Sequence, residues 1–497
     1  MKKKIVIIGS GLGGLSCGVI LARNGYQVTV VEQGAVIGGC LQCFSRRGVR
    51  FETGMHFIGS ALPGQTLNKL MNYLELGDIR LSQLDTTAYD VVALAGEKFR
   101  FANGREAFIE QMASYFPREK DNLALYYNVI EKIAQASSLH SLRHAEEDQV
   151  VNTFYQTISI NEVLDGLIED ELLRNVLVGN LPLYAAEKDK TPFAQHAFIM
   201  DFYNQSAFRI VGGSDAVANS LARTIERYGG EVRTRAKATS IVCNDTQATG
   251  VEINGEEFIA ADYVIAGIHP ARVMEILDTK LIRPAFRNRM TTLKNTAAAF
   301  SVYLKFKEGT VPYMNSNYYS FAGRTPWGCE NYTEATWPKG YLYMHFCNGE
   351  RPTHASSGVI LSYMNMDDVA PWTGTAMGRR GADYEAFKKA HAEKLIASVD
   401  SEFPGLRDNI ESYYTSTPLT YIDYTGTADG SMYGVAKDIT LGAACRVPHR
   451  TKVPNLLLTG QNINSHGMLG VLVGTIVTCS EFLTAEKIYQ QIIQANQ

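Results

Sequence analysis

The sequence lacks several features that would place it in other protein classes. Its 497 residues include only eight cysteines, and these are scattered without a regular spacing. A disulfide scaffold is therefore not indicated, and we expect reduced thiols in a cytoplasmic protein. Charges of the two signs nearly cancel, leaving a formal net charge of −4. This balance gives no electrostatic reason to expect binding to nucleic acid.

Long uncharged apolar runs are also missing. None reaches the roughly 18 residues that a membrane-spanning helix needs, so we expect no span. The opening Met-Lys-Lys-Lys and the apolar run after it resemble a signal peptide, but that run leads directly into a glycine-rich turn, Gly9 to Gly14, so cleavage would remove the strand before the turn. With 45% hydrophobic residues, the chain can bury a large core and should contain more than one structural unit.

The most informative stretch is the first 32 residues. An apolar strand from Lys4 to Ile8 leads into a glycine-rich turn, a helix of small and aliphatic residues runs to about Asn24, and a second strand ends at Glu32. This is a complete βαβ dinucleotide fingerprint. The turn and the start of the helix comprise Gly9, Ser10, Gly11, Leu12, Gly13 and Gly14.

Each part of the fingerprint has a physical role. Gly9 permits the tight turn, Gly11 lets bare backbone approach a pyrophosphate, and Gly14 lets helix and strand pack closely. Glu32 is placed to accept hydrogen bonds from an adenosine ribose. We therefore predict that a dinucleotide binds at the amino end of the first helix.

A second glycine pair, Gly38 and Gly39, follows closely and would extend this site along a phosphate or ribityl chain. Cys40 and Cys43 beside it form a Cys-x-x-Cys pair. The pair has three interpretations: a dithiol that exchanges electrons with a flavin, half of a zinc site, or two small residues buried beside the cofactor. No matching cysteine or histidine pair stands elsewhere, so we expect no metal site.

The segment Gly54-Met55-His56 comes next and could lie along the edge of a flavin ring. A histidine at this place has two interpretations. It could orient a substrate or relay a proton, or it could be a structural histidine bonded to backbone.

The middle of the chain changes character. Helical spacing of apolar residues covers Phe108 to Ile133 and Ile160 to Leu181, with an exposed loop expected from Ser137 to Gln149. A hairpin is expected around Ala95-Gly-Glu. From 271 to about 435 the pattern is strand-like, with one helix from Asp383 to Val399.

The chain closes with a strand at Leu456 to Leu458, then Gly460, Asn462 and a helix that opens at Gly467 and Met468. Free N–H groups at that helix end could stabilise negative charge on a reduced flavin ring. Two such helix ends in one chain indicate a long cofactor held at both of its ends.

These motifs together resemble the FAD-dependent amine-oxidase and phytoene-desaturase superfamily over essentially the whole chain. The resemblance lies in the fingerprint ending at Glu32, the Gly38-Gly39 pair, the strand at Gly229-Gly-Glu-Val and the Thr459-Gly-Gln-Asn close. The segments around Gly54 and Arg209-Ile-Val-Gly-Gly-Ser are most similar to the carotenoid-isomerase and retinol-saturase branch.

The resemblance implies an α/β fold, in which a discontinuous Rossmann-like FAD-binding domain carries an inserted α+β substrate domain. We assign residues 1–75, 205–270 and 436–497 to the FAD-binding domain, and 76–204 and 271–435 to the substrate domain.

The resemblance also assigns site residues. The fingerprint glycines and Glu32 would hold the ADP part, the backbone of Ala238 would pair with adenine, Gly460 and Asn462 would reach the pyrophosphate and ribityl oxygens, and Gly467 with Met468 would lie under the flavin pyrimidine. Two positions depart from the family pattern. Asn462 stands where relatives usually have Asp, and Cys40 where many have Arg.

The function implied is that of an FAD-dependent oxidoreductase acting on a carbon–carbon double bond of an apolar, polyene or isoprenoid-like substrate. His56 is our candidate proton donor or orienting group, and Tyr433 is a weaker one. No second Gly-x-Gly-x-x-Gly unit is present. Electrons would therefore come from transiently bound NAD(P)H or from an electron-transfer partner.

Several alternatives stay open. The same site could isomerise a polyene without net redox change, or desaturate it and pass electrons to quinone or oxygen. A non-catalytic carrier of prenylated proteins with this fold is a third alternative, although such a carrier would tolerate decay of both glycine-rich ends. Because apolar substrates reside in bilayers, peripheral contact with the inner face of the membrane is a further expectation.

Overall fold

The structure is a computed structural model that describes residues 2–138, 142, 149–347 and 352–497. Most of the exposed loop expected from Ser137 to Gln149 lies outside the described residues. The strands are β1 (Lys4–Ile8), β2 (Gln27–Val31), β3 (Cys43–Arg46), β4 (Val49–Glu52), β5 (Ile58–Gly59), β6 (Leu81–Gln83), β7 (Asp90–Leu94), β8 (Glu97–Phe101), β9 (Ala207–Ile210), β10 (Glu231–Arg233), β11 (Ala238–Cys243), β12 (Ala248–Ile253), β13 (Glu257–Ala260), β14 (Tyr263–Ala266), β15 (Ala299–Phe306), β16 (Asn317–Phe321), β17 (Gly340–Phe346), β18 (Ser357–Tyr363), β19 (Ile410–Ser416) and β20 (Leu456–Leu458).

The helices of the described residues include a run without intervening strands between β8 and β9. They are α1 (Leu12–Arg23), α2 (Thr66–Tyr73), α3 (Arg105–Tyr115), α4 (Lys120–Ala136), α5 (Gln149–Tyr155), α6 (Ile160–Leu167), α7 (Glu171–Leu177), α8 (Phe193–Gln205), α9 (Asp215–Arg227), α10 (Pro270–Ile276), α11 (Pro284–Thr291), α12 (Ala382–Glu402), α13 (Pro418–Thr425), α14 (Gly467–Cys479) and α15 (Ala485–Gln494).

A parallel sheet lies at the centre of the first unit, with the strand order β10-β2-β1-β14-β20 among the described residues. Alternate residues of β1 face opposite sides: Ile5 and Ile7 join the core under α1, whereas Val6 and Ile8 join a second core. Helix α1 packs against both α9 and α14. The sheet thus collects strands from distant parts of the chain, as expected for a discontinuous Rossmann-like domain.

A larger, mostly antiparallel sheet forms the second unit, in the order β19-β15-β18-β17-β16-β7-β8 within the part of the chain described. The β7–β8 hairpin confirms the one expected around Ala95, and β7 pairs in parallel with β16. Strands that precede β9–β14 in the sequence and strands that follow them therefore build one α+β unit. Helix α12 covers the core on one face of this sheet.

Three features differ from expectation. The helical stretch from Phe108 to Ile133 is broken by a short 3-10 turn that starts at Pro117, where proline disfavours a continuous helix. The stretch from Ile160 is broken at Asp170, whose side chain caps α7. The helix expected from Asp383 to Val399 is present as α12, but the expectation that it is the one helix between 271 and 435 was wrong. Helices α10, α11 and α13 also form there, each with a proline at its start.

The boundaries that we assign to the two domains stay a prediction. Strand β9 pairs with both β5 and β6, which lie on either side of residue 75. This small sheet joins the two units.

Candidate active site

The first helix end is built from bare backbone. Gly9 turns out of β1 with φ at +95°, and Gly11 precedes α1 without any side-chain capping bond. A Cβ added at Gly11 would meet nothing within 4 Å, whereas one at Gly14 would lie 2.1 Å from the Gly9 carbonyl oxygen. The first N–H groups of α1, from Leu12 onward, therefore face open space that suits a phosphate.

Glu32 closes the side of this turn. Its carboxylate accepts hydrogen bonds from the Ser10 N–H at 3.1 Å, the Ser10 hydroxyl at 2.7 Å and the Gly34 N–H at 2.8 Å. The Gly38 N–H donates to the Ser10 carbonyl at 3.0 Å, and a Cβ on Gly39 would lie 3.3 Å from the Gly11 Cα. The two glycine-rich motifs predicted from sequence thus lie side by side.

The second helix end meets the first through Gly13 and Gly460. A Cβ at Gly13 would lie 2.8 Å from the Gly460 Cα, so only glycine permits this approach. Helix α14 then opens at Gly467 with φ at +73°, followed by the buried Met468. Its N-cap residue, His466, makes no side-chain capping bond. Both helix N-termini are therefore available to one extended ligand.

Asn462 connects this end to the loop that carries Tyr433. Its side-chain oxygen accepts from the Val435 N–H at 2.9 Å, and its backbone carbonyl accepts from Lys437 Nζ at 3.1 Å. The side-chain NH₂ of Asn462 is the group that remains for a cofactor. Burial lowers the pKa of Lys437 to about 8, with Arg446 lowering and Cys445 raising it.

Tyr433 and His466 form the side-chain wall at the second helix end. Their rings stack with centroids 4.4 Å apart, and the Tyr433 hydroxyl donates to the Pro182 carbonyl at 3.0 Å. The Gln195 amide donates to His466 Nε2 at 2.9 Å. His466 is neutral, because burial and Lys437 lower its pKa to about 3. Nδ1 then carries the proton, and this buried donor has no partner among the described residues.

A second buried histidine lies behind this wall. The two ring nitrogens of His196 bond to the hydroxyls of Tyr126 and Tyr184, each at 2.8 Å, and burial lowers the His196 pKa to about 3. The Tyr184 carbonyl in turn accepts from Gln195 at 3.4 Å. This network fixes Gln195, and through it the orientation of His466.

His56 lies in the irregular segment between β4 and β5, after Gly54 and the half-buried Met55. Its carbonyl accepts from the buried Arg209 at 3.2 Å, and its ring lies 6.1 Å from Phe346 between centroids. Burial and the nearby Arg209 lower the His56 pKa to about 3, so the imidazole is neutral. Its Nδ1 has no partner in the described part of the chain.

Cys43 of the Cys-x-x-Cys pair lies beside Glu52. Cys43 donates to the Glu52 carboxyl at 3.3 Å, and the Ser214 N–H donates to the same group at 2.9 Å. Burial raises the pKa of Cys40 to about 11 and of Cys43 to about 12. Since the thiolate is the reactive form, this argues against dithiol chemistry. The described residues also contain no group of three or more potential metal ligands.

The residues present fit an FAD molecule. The open space at Gly11, the two uncapped helix ends and the unpaired Nδ1 of His466 supply what its pyrophosphate and ring need. Ala238 begins β11, while the N–H of Ala236 donates to the Glu32 carbonyl at 2.8 Å. All the cofactor-binding and catalytic assignments stay predictions, those of Ala238, His56 and Tyr433 included.

Sequence reasoning missed several side chains of this site. His466 directly precedes Gly467, so its position at a helix N-terminus was a usable signal. Gln195, His196 and Lys437 belong to no local sequence motif. Only tertiary packing brings them to this site, so no sequence signal pointed to them.

Comparison with known proteins places these observations in context. The family described as flavin containing amine oxidoreductase matches residues 12–472. The chain is 27% identical to the all-trans-retinol 13,14-reductase of Rattus norvegicus, covering 99% of this chain and 87% of that protein. It is 22% identical to prolycopene isomerase 2 of an Oncidium hybrid cultivar, covering 97% and 84%. An oxidoreductase from Methanosarcina mazei has a similar fold, with a TM-score of 0.65 at 15% identity, covering 96% and 100% of the chains.

Proposed function

Because this chain belongs to the flavin containing amine oxidoreductase family, we propose that it is an FAD-dependent oxidoreductase acting on a carbon–carbon double bond of an apolar polyene. Bound FAD would supply the hydride chemistry, and the protein would supply binding, orientation and a dry site. The rat relative, whose name is that of a reductase of retinol, supports reduction as the direction.

One observation carries the proposal. The place that we assign to the flavin ring, at the start of α14, carries the stacked rings of Tyr433 and His466, and Tyr433 packs against the main buried core. Tyr319 and Tyr363 are both buried, and their hydroxyls have no partner among the residues described. An aromatic wall with few, separated polar groups suits a flat conjugated chain better than a charged amine.

Four side chains, Tyr433, His466, His56 and Lys437, would take different parts. Tyr433 would orient the polyene, since its hydroxyl is committed to the Pro182 carbonyl. His56 and His466 are neutral and would act through their unpaired Nδ1 atoms as orienting groups. Lys437 Nζ, with a pKa lowered to about 8, would be able to hold and release a proton near neutral pH.

The test is anaerobic turnover of all-trans-retinol by the FAD-loaded protein, with the product mass measured. We expect a product that gains two hydrogen atoms when a reductant is present. A product of unchanged mass, formed without consumption of reductant, would indicate an isomerase instead, the activity named for the Oncidium relative. A product that loses two hydrogens would indicate a desaturase.

The electron source is part of the same proposal. We assign it to NAD(P)H bound only transiently. The sequence has one complete nucleotide fingerprint, and since we assign that fingerprint to FAD, no second one remains to hold NAD(P)H. Anaerobic bleaching of the flavin by NADH or NADPH would support this. Bleaching only by an added redox protein would replace it with an electron-transfer partner.

Contact with a membrane surface would give access to an apolar substrate. The described residues contain no helix long and apolar enough to cross a bilayer. On α5, however, Val150 and Phe154 lie one turn apart and are 79% and 53% exposed, and Leu125 on the neighbouring α4 is also exposed. We assign the contact to this face. Replacing Val150 and Phe154 with serine should weaken sedimentation with anionic vesicles.

A further inference from the structure

A buried arginine lies behind the segment that carries His56. Arg209 belongs to β9 and is only 4% exposed. Its Nη1 donates to the His56 carbonyl at 3.2 Å, and its Nη2 donates to the Ser316 carbonyl at 3.2 Å. Because His56 lies outside the described strands, the bond from Arg209 satisfies a carbonyl that no strand pairing satisfies. Arg209 thus fixes the backbone on which the imidazole is carried.

A chain of hydrogen bonds holds Arg209 from its other side. Its Nη2 also donates to Asn317 Oδ1 at 3.0 Å, and Asn317 Nδ2 donates to Asp90 Oδ1 at 2.8 Å. Asn317 and Asp90 lie opposite each other in the parallel pair of β16 and β7, and both are fully buried. The large sheet therefore anchors the guanidinium, and through it His56.

The charge of Arg209 is not neutralised by contact with a carboxylate in this network. Its hydrogen bonds go to two carbonyls and an amide oxygen, and the side chain of Asn317 separates it from the Asp90 carboxyl. Burial raises the pKa of Asp90 to about 7, although Asn317, Asn180 and Arg209 lower it, so this carboxyl carries only part of a negative charge near neutral pH. Neutral donors would satisfy the same oxygens at a lower desolvation cost. The positive charge itself therefore calls for a role.

The groups that face this charge are uncharged rings. The centroid of the Phe346 ring lies 4.8 Å from the guanidinium carbon of Arg209 and 6.1 Å from the centroid of the His56 ring. His345 is neutral as well, because burial and Arg209 lower its pKa to about 3. Burial raises the pKa of Tyr313, although Arg209 lowers it, so its hydroxyl keeps its proton. None of these groups offsets the positive charge that Arg209 places beside His56.

We propose that Arg209 is a positioning residue of the substrate site: it fixes His56 through the main-chain carbonyl and places a positive charge beside the imidazole. Asn317 and Asp90 hold Arg209 in turn. This inference rests on the proposed function, in which a neutral His56 orients the polyene. A neighbouring positive charge opposes protonation of the imidazole, so His56 presents an uncharged ring to an apolar substrate.

The experiment follows the His56 ring by NMR in FAD-loaded protein with isotope-labelled histidine rings, the His56 signal being assigned by its loss in His56→Gln. Arg209→Gln keeps a donor for the His56 carbonyl but removes the charge, whereas Arg209→Lys keeps the charge. We expect the His56 titration to move up by about one pH unit or more in Arg209→Gln and to stay unchanged in Arg209→Lys. Arg287→Gln is the matched control, because Arg287 also donates to two main-chain carbonyls, those of Met274 and Leu277, and should leave the His56 titration unchanged.

Turnover of all-trans-retinol supplies a second readout. In Arg209→Gln, kcat/KM should fall toward acidic pH, because a protonated His56 no longer suits the apolar chain. Adding His56→Gln to that variant should abolish the fall. A merely structural role of Arg209 would lower kcat/KM by the same factor at every pH.

The outcomes separate this inference from the proposed function. The same His56 titration in Arg209→Gln and Arg209→Lys, with retinol still reduced by the unmodified protein, overturns the inference and leaves the proposed function standing. An acidic fall of kcat/KM in the unmodified protein that His56→Gln removes also overturns it, and this measurement needs no Arg209 variant to fold. If the unmodified protein reduces no polyene, the proposed function fails and the inference fails with it.

Discussion

The two ends of the proposed ligand site are built from different groups, backbone at one end and side chains at the other. At the FAD end, contacts come from backbone N–H groups and from glycines such as Gly11 and Gly13, with Glu32 as the main side chain. At the substrate end, Tyr433, His466 and their supports are side chains from distant segments. Backbone recognises a phosphate, which any dinucleotide carries, whereas side chains can change with the substrate.

This contrast explains why the site identifies the cofactor more narrowly than it identifies the substrate. A glycine-rich turn needs a fixed local sequence, because only glycine tolerates positive φ and close backbone contact. An aromatic wall needs only shape and burial, which many sequences supply. The predictions below test each side of this difference.

The largest effect should come from adding one methyl group at the FAD end. In Gly14→Ala the new Cβ would lie 2.1 Å from the Gly9 carbonyl oxygen, so helix and turn must separate. We expect loss of bound FAD and at least about 3 kcal/mol of destabilisation, measured by flavin absorbance and urea unfolding. Gly166→Ala is the matched control, since its Cβ would meet nothing within 4 Å. Equal effects in both variants would remove the special role of Gly14.

The buried Glu52, which accepts from the Ser214 N–H at the start of α9, should make the stability of the protein depend on pH. Burial raises the pKa of Glu52 to about 7, although hydrogen bonds from Ser214 and Cys43 lower it, so the folded state holds a proton that the unfolded state releases from about pH 4.5. Stability from this group is therefore present below pH 4.5 and is lost as pH rises to 7, by as much as about 3 kcal/mol.

Glu52→Gln tests this directly. Its unfolding free energy should fall less between pH 4.5 and 7 than that of the unmodified protein. Exposed Glu256→Gln serves as the control. A parallel pH dependence in the Glu52 variant and the unmodified protein would contradict the assignment.

On the substrate side, Lys437 should control the pH profile of turnover. Its pKa of about 8, lowered chiefly by burial, means that Nζ carries a proton below pH 8 and loses it above. If Nζ supplies the proton for alkene reduction, kcat falls above pH 8, and Lys437→Met lowers kcat about 100-fold and flattens the profile. Lys452→Met, at an exposed site, should keep the normal profile. An unchanged profile in the Lys437 variant would leave it a structural role only.

The smallest effect should come from Glu32→Gln. The amide keeps a hydrogen-bond acceptor for Ser10 and the ribose but loses the charge. We expect FAD to bind about tenfold more weakly, with kcat unchanged once the flavin is saturating. A change in kcat at saturating FAD would mean that Glu32 also influences the substrate end, and would contradict its assignment to FAD binding alone.

Features that depend on local sequence could be predicted, whereas features that depend on contacts between distant segments could not. The fold class, β1, α1, β20 and the β7–β8 hairpin were predictable, because apolar periodicity and glycine positions are local signals. The extra helices at α11 and α13 were not, since short helices depend on tertiary packing more than on pattern. The place of His196 in the site could not be predicted, because its tyrosine partners come from α4 and from the segment before α8.

The central claim is that FAD held at the two helix ends exchanges electrons with a polyene at the Tyr433–His466 wall. The most direct test reduces the FAD-loaded protein anaerobically and then adds all-trans-retinol while flavin and polyene absorbance are followed together. We predict that the flavin bands return as the conjugated polyene absorbance falls, in equal molar amounts. Flavin that stays reduced while retinol is unchanged, or a protein that binds no flavin even when FAD is added, would contradict the account.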